Sequence, residues 1–163
     1  MIITVHDRDT VKVPERYLQQ KREDNPSFKV GLTSGCYDLF HFYHVLYLER
    51  CRRLCDFLIV GIDSDRLVKE TKGEKRPVFG EFHRLRIVEA LKHVDIAFIM
   101  DNLGDFYNVS EKMKVDKIFK NQTFKSEEVI GRIDAEIVTI PDVEELTSTS
   151  EFIKKIIQGA IGA

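Results

Sequence analysis

Short apolar runs and amphipathic stretches take turns along this chain, and that alternation constrains its fold more than any other property. Phe57-Leu58-Ile59-Val60-Gly61-Ile62 contains no polar side chain, which suits a parallel strand buried on both faces. Val30-Gly31-Leu32, Ile96-Ala97-Phe98-Ile99, Lys117-Ile118-Phe119 and Ile137-Val138-Thr139-Ile140 read as further strands. Between them, Val45, Leu48, Cys51 and Cys55 recur at three- and four-residue spacing, marking one face of a helix. Leu85, Val88 and Leu91 mark a second helix over about Glu81 to His93. Val109 to Lys114, Ser126 to Arg132 and a closing Thr149 to Gln158 complete the helical set, while Asp63 to Gly80 reads as a polar stretch. This order predicts a doubly wound α/β domain, a parallel five-stranded sheet flanked by helices with right-handed crossovers.

Met1 to Ser27 differ in character. A short alternating piece around Ile3 and Val5 precedes a charged segment, Pro14 to Asp24, closed by Asn25-Pro26. We expect residues 1–27 to form an extension, a short strand and a helix, lying on a main domain of residues 28–158, with 159–163 as a tail. A chain of 163 residues with 43% hydrophobic side chains is sized for one core. No apolar run approaches the ~18–20 residues of a membrane span, and the first residues lack a signal-peptide h-region. The expectation is a cytoplasmic protein without a membrane partner. A net charge of -2 argues against nucleic acid as a partner but leaves room for a small anionic substrate. The three cysteines, with Cys51 and Cys55 one helical turn apart, suggest neither a disulfide framework nor a zinc site, so reduced thiols are expected.

In doubly wound sheets ligands gather beyond the carboxyl ends of the strands. Thr33 to His44, Asp63 to Arg76 and Pro141 to Ser150 should therefore converge. The first is the most informative, because it leads from a strand into a helix. His41 and His44 lie three apart, on one face of that helix start. A helix N-terminus adds unpaired N–H groups and partial positive charge, which suits phosphate. Two imidazoles there can donate hydrogen bonds to a phosphorus centre that gains charge during substitution. The same spacing also fits a surface histidine pair or an incidental metal site. Asp38 is placed either to cap the turn or to orient a histidine.

Gly35-Cys36-Tyr37-Asp38-Leu39-Phe40-His41-Phe42-Tyr43-His44 resembles the G-x-F-D-x-x-H-x-G-H signature of the cytidylyltransferase-like nucleotidyltransferases. Further segments match in order. Phe57 to Asp65 looks like the family's second strand and its S/T-D turn, and Lys72-Gly73-Glu74-Lys75-Arg76-Pro77 is similar to the K-G-x-x-R-P stretch of heptose-1-phosphate adenylyltransferases. Arg84 matches the arginine opening the next helix, Val94-Asp95 its end, Phe119-Lys120 a strand-end V-K, and Thr147 to Ser150 a late S-T-T turn. The resemblance covers about Lys29 to Ile157. It implies a Rossmann-like fold and an enzyme that joins a nucleoside triphosphate to a phosphorylated small molecule, releasing pyrophosphate. It implies His41 and His44 as catalytic residues, with Arg84 reaching the same phosphates or forming a structural ion pair. The backbone of Cys36, Tyr37 and Asp38 would cup the nucleotide, and Lys120 would lie near base or ribose. Ser148 and Thr149 would offer hydroxyls and N–H groups to phosphate while capping their helix. Lys72 and Arg76 would contact phosphates, the alternative being a solvated charged loop. Mg²⁺ would enter mainly with the triphosphate, since no carboxylate cluster in the sequence specifies a metal site. Family members are commonly homodimers.

The sequence also departs from the pattern. Tyr43 replaces the second signature glycine, where close approach of backbone and ligand is expected. Asn121-Gln122 replace glycines after Lys120, and the arginine of the cytidylyl branch's R-T-x-x-I-S-T-T is missing before Leu146-Thr147. The missing arginine, together with Lys72 to Pro77, favours ATP, with CTP next, and the acceptor is expected to be a sugar or polyol phosphate. A heptose-type phosphate comes first and glycerol 3-phosphate second. The competing expectation is a nucleotide-binding module that has lost activity through changes such as Tyr43. A length of 163 residues leaves no room for a fused kinase.

Overall fold

The computed structural model describes residues 15–121, 134–141 and, near the C-terminus, 153, 154 and 156–158. Five strands, β1 (Val30–Gly35), β2 (Phe57–Asp63), β3 (Ile96–Met100), β4 (Lys117–Asn121) and β5 (Glu136–Ile140), form one parallel sheet in the order β3-β2-β1-β4-β5. The helices are α1 (Glu15–Asp24), α2 (Phe42–Arg52), α3 (Asp65–Lys72), α4 (Glu81–Glu89) and α5 (Leu103–Met113). The strand order reverses at β1, which pairs with β2 on one side and β4 on the other. Leu32 thus faces Ile59 across one ladder and Ile118 across the other. That reversal opens the crevice in which such sheets hold ligands.

Alternation along β2 divides the core. Leu58, Val60 and Ile62 pack with Leu48 and Cys51 of α2 and Leu85 and Val88 of α4. Phe57 and Ile59 point the other way, towards Leu18 of α1 and Phe106, Val109 and Met113 of α5. Both faces of the sheet are covered, which is why β2 and β3 are nearly unbroken apolar runs. Each fully buried Leu, Ile or Phe contributes about 1.5–3 kcal/mol. The second cluster also covers the side of the sheet from which the helix of the signature departs. At Gly31 a Cβ would lie 2.4 Å from the Phe119 ring and 2.8 Å from Cys55 Sγ, so only glycine lets α2's C-terminal turn pack this closely on β1 and β4.

Three helices differ from expectation. The stretch read as merely polar contains α3, in which Val68 is the buried residue and whose apolar signal is correspondingly thin. Its ends are set chemically. Ser64 Oγ accepts from Leu67 N at 3.2 Å, and Gly73 terminates the helix at φ 94. α5 begins at Leu103 rather than Val109, because Asn102 and Asp105 form a capping box ahead of the first core-facing residue, Phe106. α4 ends at Glu89, before the expected His93. The described residues among 153–158 are helical. The expected strand at Ile3 and Val5 and helix at Ser126 to Arg132 lie outside the described residues. All three cysteines are buried free thiols, and burial pushes Cys51 up to about 12 and Cys55 up to about 11.

Candidate phosphate-binding site

The loop from Cys36 to His41 leaves the carboxyl end of β1 and turns into α2. It is a contorted path, with Tyr37 and Leu39 in the left-handed region at φ 50 and φ 47. Such residues cost of order 1–3 kcal/mol each and persist only where their surroundings enforce them. Asp38, 1% exposed, supplies much of that enforcement. Its carboxylate accepts from the backbone N–H of Leu39 (3.1 Å), Val78 (2.9 Å) and Phe79 (3.0 Å), and from Arg76 Nε (2.8 Å). Burial works against its ionisation, but the N–H groups of Phe79 and Val78 and the Arg76 guanidinium outweigh it, holding the carboxyl below its ordinary range.

His41 caps α2 and His44 is the third residue of the helix. The backbone N–H of His41 donates to His44 Nδ1 at 3.2 Å, and the two rings lie 4.0 Å apart. Because Nδ1 accepts, the neutral His44 ring carries its proton on Nε2. Burial, reinforced by His41 and Lys72 and opposed by Asp38, pushes His44 down to about 3. Burial lowers His41 as well. At neutral pH both rings are therefore uncharged hydrogen-bond donors. Phe40 stacks on His44 at 5.1 Å and Tyr37 meets its edge at 5.4 Å, which fixes the ring's plane.

Basic groups surround this helix start. Lys72, exposed at the end of α3, is felt electrostatically at Cys36, His44 and Asp63. Lys120, 8% exposed at the end of β4, donates to Ser34 Oγ at 3.4 Å and lies 4.7 Å from the Phe106 ring centre. Burial pulls Lys120 down to about 8, against the pull of Asp63. Burial raises Asp63 in turn, against the opposing charges of Lys72, Arg84 and Lys120. Cys36, His41, His44, Lys72 and Lys120 thus gather at the carboxyl ends of β1, β2 and β4. Of the third converging segment, Pro141 is described, and its carbonyl accepts from Arg50 of α2 at 2.8 Å. Ser148 and Thr149 lie outside the described residues.

Several expected ligand groups are engaged elsewhere. Arg84 is 0% exposed, and its guanidinium donates to Phe79 O (2.9 Å), Cys36 O and Asp65 Oδ1 (2.8 Å). Of its two expected roles, the structure gives it the ion pair. Arg76 is largely buried rather than part of a solvated loop, and its Nε and Nη2 both bind Asp38. Asp38 ties the two loops together, and its bond to the Leu39 N–H braces the turn it was expected to cap. Tyr37 is 4% exposed, so its side chain belongs to the core and its backbone alone can meet a ligand. Tyr43 sits in the first turn of α2 with its ring edge-on to His41 at 5.9 Å. Sequence reasoning missed Glu81, and it read Asp65 only as part of the family's S/T-D turn, not as the partner of Arg84. Glu81, 5% exposed, accepts the N–H of Asp65 at 2.8 Å. Its place three residues before Arg84, at a helix start, is the signal that marks it. A cleft lined by Lys29, Lys114, Asp116, Lys117 and Glu136 lies at the opposite, amino-terminal end of the strands and contains none of the expected site residues.

Among the described residues no helix is long and apolar enough to cross a membrane. A cytidylyltransferase-like family model matches residues 32–155. Two proteins called bifunctional protein HldE are similar in sequence. That of Campylobacter jejuni is 41% identical over 90% of this chain and 31% of its own length, and that of Helicobacter pylori is 36% identical over 85% and 30%. The chain therefore spans about a third of the length of these curated relatives. Among solved structures, the lipopolysaccharide core biosynthesis protein of Thermoplasma volcanium superposes with a TM-score of 0.62 at 27% identity, covering 72% of this chain and all of that one. Pantothenate synthetase of Thermus thermophilus (TM-score 0.51, 12% identity, covering 83% of this chain and 68% of its own) shares the fold. The family model spans the sheet, the signature loop and the helix start that carries the two histidines, and on that match the chain belongs to the cytidylyltransferase-like family of nucleotidyltransferases.

Proposed function

We propose that this chain transfers a nucleoside monophosphate from a nucleoside triphosphate to a phosphorylated small molecule and releases pyrophosphate. One observation carries the reading: the His41 N–H to His44 Nδ1 hydrogen bond, which leaves a neutral Nε2–H donor at a helix N-terminus. An acceptor phosphate oxygen attacks the α-phosphorus, the bond to the bridging oxygen breaks, and the leaving pyrophosphate takes the electron pair. His41, His44 and the helix start donate hydrogen bonds to oxygens that gain charge in the transition state. Lys72 and Lys120 add positive charge, and Ser148 and Thr149 complete the phosphate contacts. The protein's contribution is positioning and charge stabilisation, as in other phosphoryl chemistry. Mg²⁺ suits this site as an ion held chiefly by the triphosphate, since among the described residues no three His, Cys, Asp or Glu side chains cluster. It would neutralise charge on the phosphate oxygens.

ATP is the favoured nucleotide and CTP the next. A heptose-type phosphate is the favoured acceptor. The Lys72 to Pro77 stretch and the similarity to the proteins called HldE support this choice. A homodimer is the expected assembly, to be checked by sedimentation. Tyr43 favours a second reading, a binding module without turnover, because its ring occupies ground beside His41. A pyrophosphate-release screen over nucleoside triphosphates and sugar or polyol phosphates separates the two. Turnover with at least one pair supports the enzyme, whereas nucleotide binding with no turnover for any acceptor supports the module.

A further inference from the structure

Arg84 makes more than an ion pair. Its side chain is wholly buried, and its three nitrogens reach three separate segments. Cys36 O belongs to the loop after β1, Phe79 O to the segment joining α3 to α4, and Asp65 Oδ1 to the first turn of α3. Asp38 reaches across in the opposite direction, from the first loop to the second. Phe79 is consequently held by both its backbone groups, its N–H by Asp38 and its carbonyl by Arg84. Glu81, one turn before Arg84, takes the N–H of Asp65. α4 therefore grips α3 through the backbone and the side chain of one residue, and Lys72 is the last residue of α3.

We propose that Arg84 is a positioning residue for the transfer reaction. It locks the Cys36–His41 loop, the Arg76–Phe79 segment and the helix carrying Lys72 into one unit around His41 and His44. This inference rests on the function proposed above. A planar guanidinium can serve acceptors in three directions at once, whereas a lysine ammonium is a single point of charge. The left-handed residues Tyr37 and Leu39 need such enforcement. A displacement of about 1 Å in a phosphate-binding group is enough to cost about 10²-fold in rate.

The test uses Asp65→Asn, at the 38% exposed end of the ion pair, and Arg84→Lys. Melting temperature is measured without and with saturating Mg²⁺ and whichever nucleoside triphosphate shifts the wild type most. The kcat and KM values are then measured well below the melting point. The expected result is a tenfold or greater fall in kcat for folded Asp65→Asn, with a smaller nucleotide-induced shift than in the wild type. Arg84→Lys should show the same pattern more strongly; if it fails to fold, Asp65→Asn decides. A lowered apo melting temperature, with kcat and the nucleotide-induced shift both within twofold of wild type, overturns the proposal. If the wild type binds nucleotide but turns nothing over, the transfer reading fails, and the nucleotide-induced shift alone decides the positioning role. A wild type shifted by no nucleoside triphosphate overturns both.

Discussion

His44 is a neutral ring at neutral pH whose proton sits on Nε2, because the His41 backbone occupies Nδ1, and in the proposed reaction that proton faces the triphosphate. Removing that donor leaves the fold's layers untouched but, in the proposed reaction, strips a transition-state contact. His44→Ala is expected to lower kcat by about 10²–10³-fold, the cost typical of a lost oxyanion donor, with circular dichroism unchanged. A change of only a few-fold would count against the assigned role. The same residue makes stability depend on pH. Its folded value of about 3 lies below the ordinary 6.5, so the unfolded chain binds the proton first as pH falls. The stability linked to neutral His44 is full above about pH 6.5 and is lost between there and about 3. Melting temperature should drop from pH 7 to 5, and less steeply in His44→Gln; parallel slopes would contradict the burial argument. The histidine pair was legible in the sequence because its spacing at a strand-to-helix turn is itself chemical information. Arg84, Arg76 and Asp38 were legible as important but not as to what they face. Whether a guanidinium meets a ligand or a neighbouring carbonyl depends on tertiary burial, which spacing does not encode.

The elements divide by how they are specified. The strands stand out by their apolar stretches, most clearly β2 and β3 at the covered part of the sheet, and least β5, whose residues are mostly exposed or half-buried. α3 stands out poorly, since one buried valine, a half-buried Leu67 and a Ser64 cap define it while charged residues fill most of the rest. The start of α5 was hidden for a related reason, because a cap rather than a hydrophobic residue sets it. Asn102→Ala should therefore cost about 1 kcal/mol, read in a denaturation curve, and leave turnover unchanged. No loss of stability would deny the cap its role. Gly31→Ala forces a methyl group against the Phe119 ring and Cys55 at the centre of the sheet. It should destabilise the protein by about 1–3 kcal/mol, several degrees in melting temperature. An unchanged melting temperature would mean that α2 and β1 are less tightly packed than the geometry implies.

Across the whole molecule, the strand order places the loops after β1 and β2 side by side at one end of the sheet, and the near-neutral composition conceals an uneven distribution. Lys72 and Lys120 lie by the histidines, while carboxylates such as Asp38 and Glu81 are spent on internal bonds. Net charge therefore said little about the site, whereas the alternation of elements said where to look. Nucleotidyl transfer at this end of the sheet is open to a direct test by phosphorus NMR of ATP and a heptose-type sugar phosphate with Mg²⁺ and the wild-type chain. A sugar nucleotide's diphosphate signals and free pyrophosphate should grow in equal amounts. Unchanged ATP, or its conversion to ADP and inorganic phosphate with no sugar nucleotide, would contradict it.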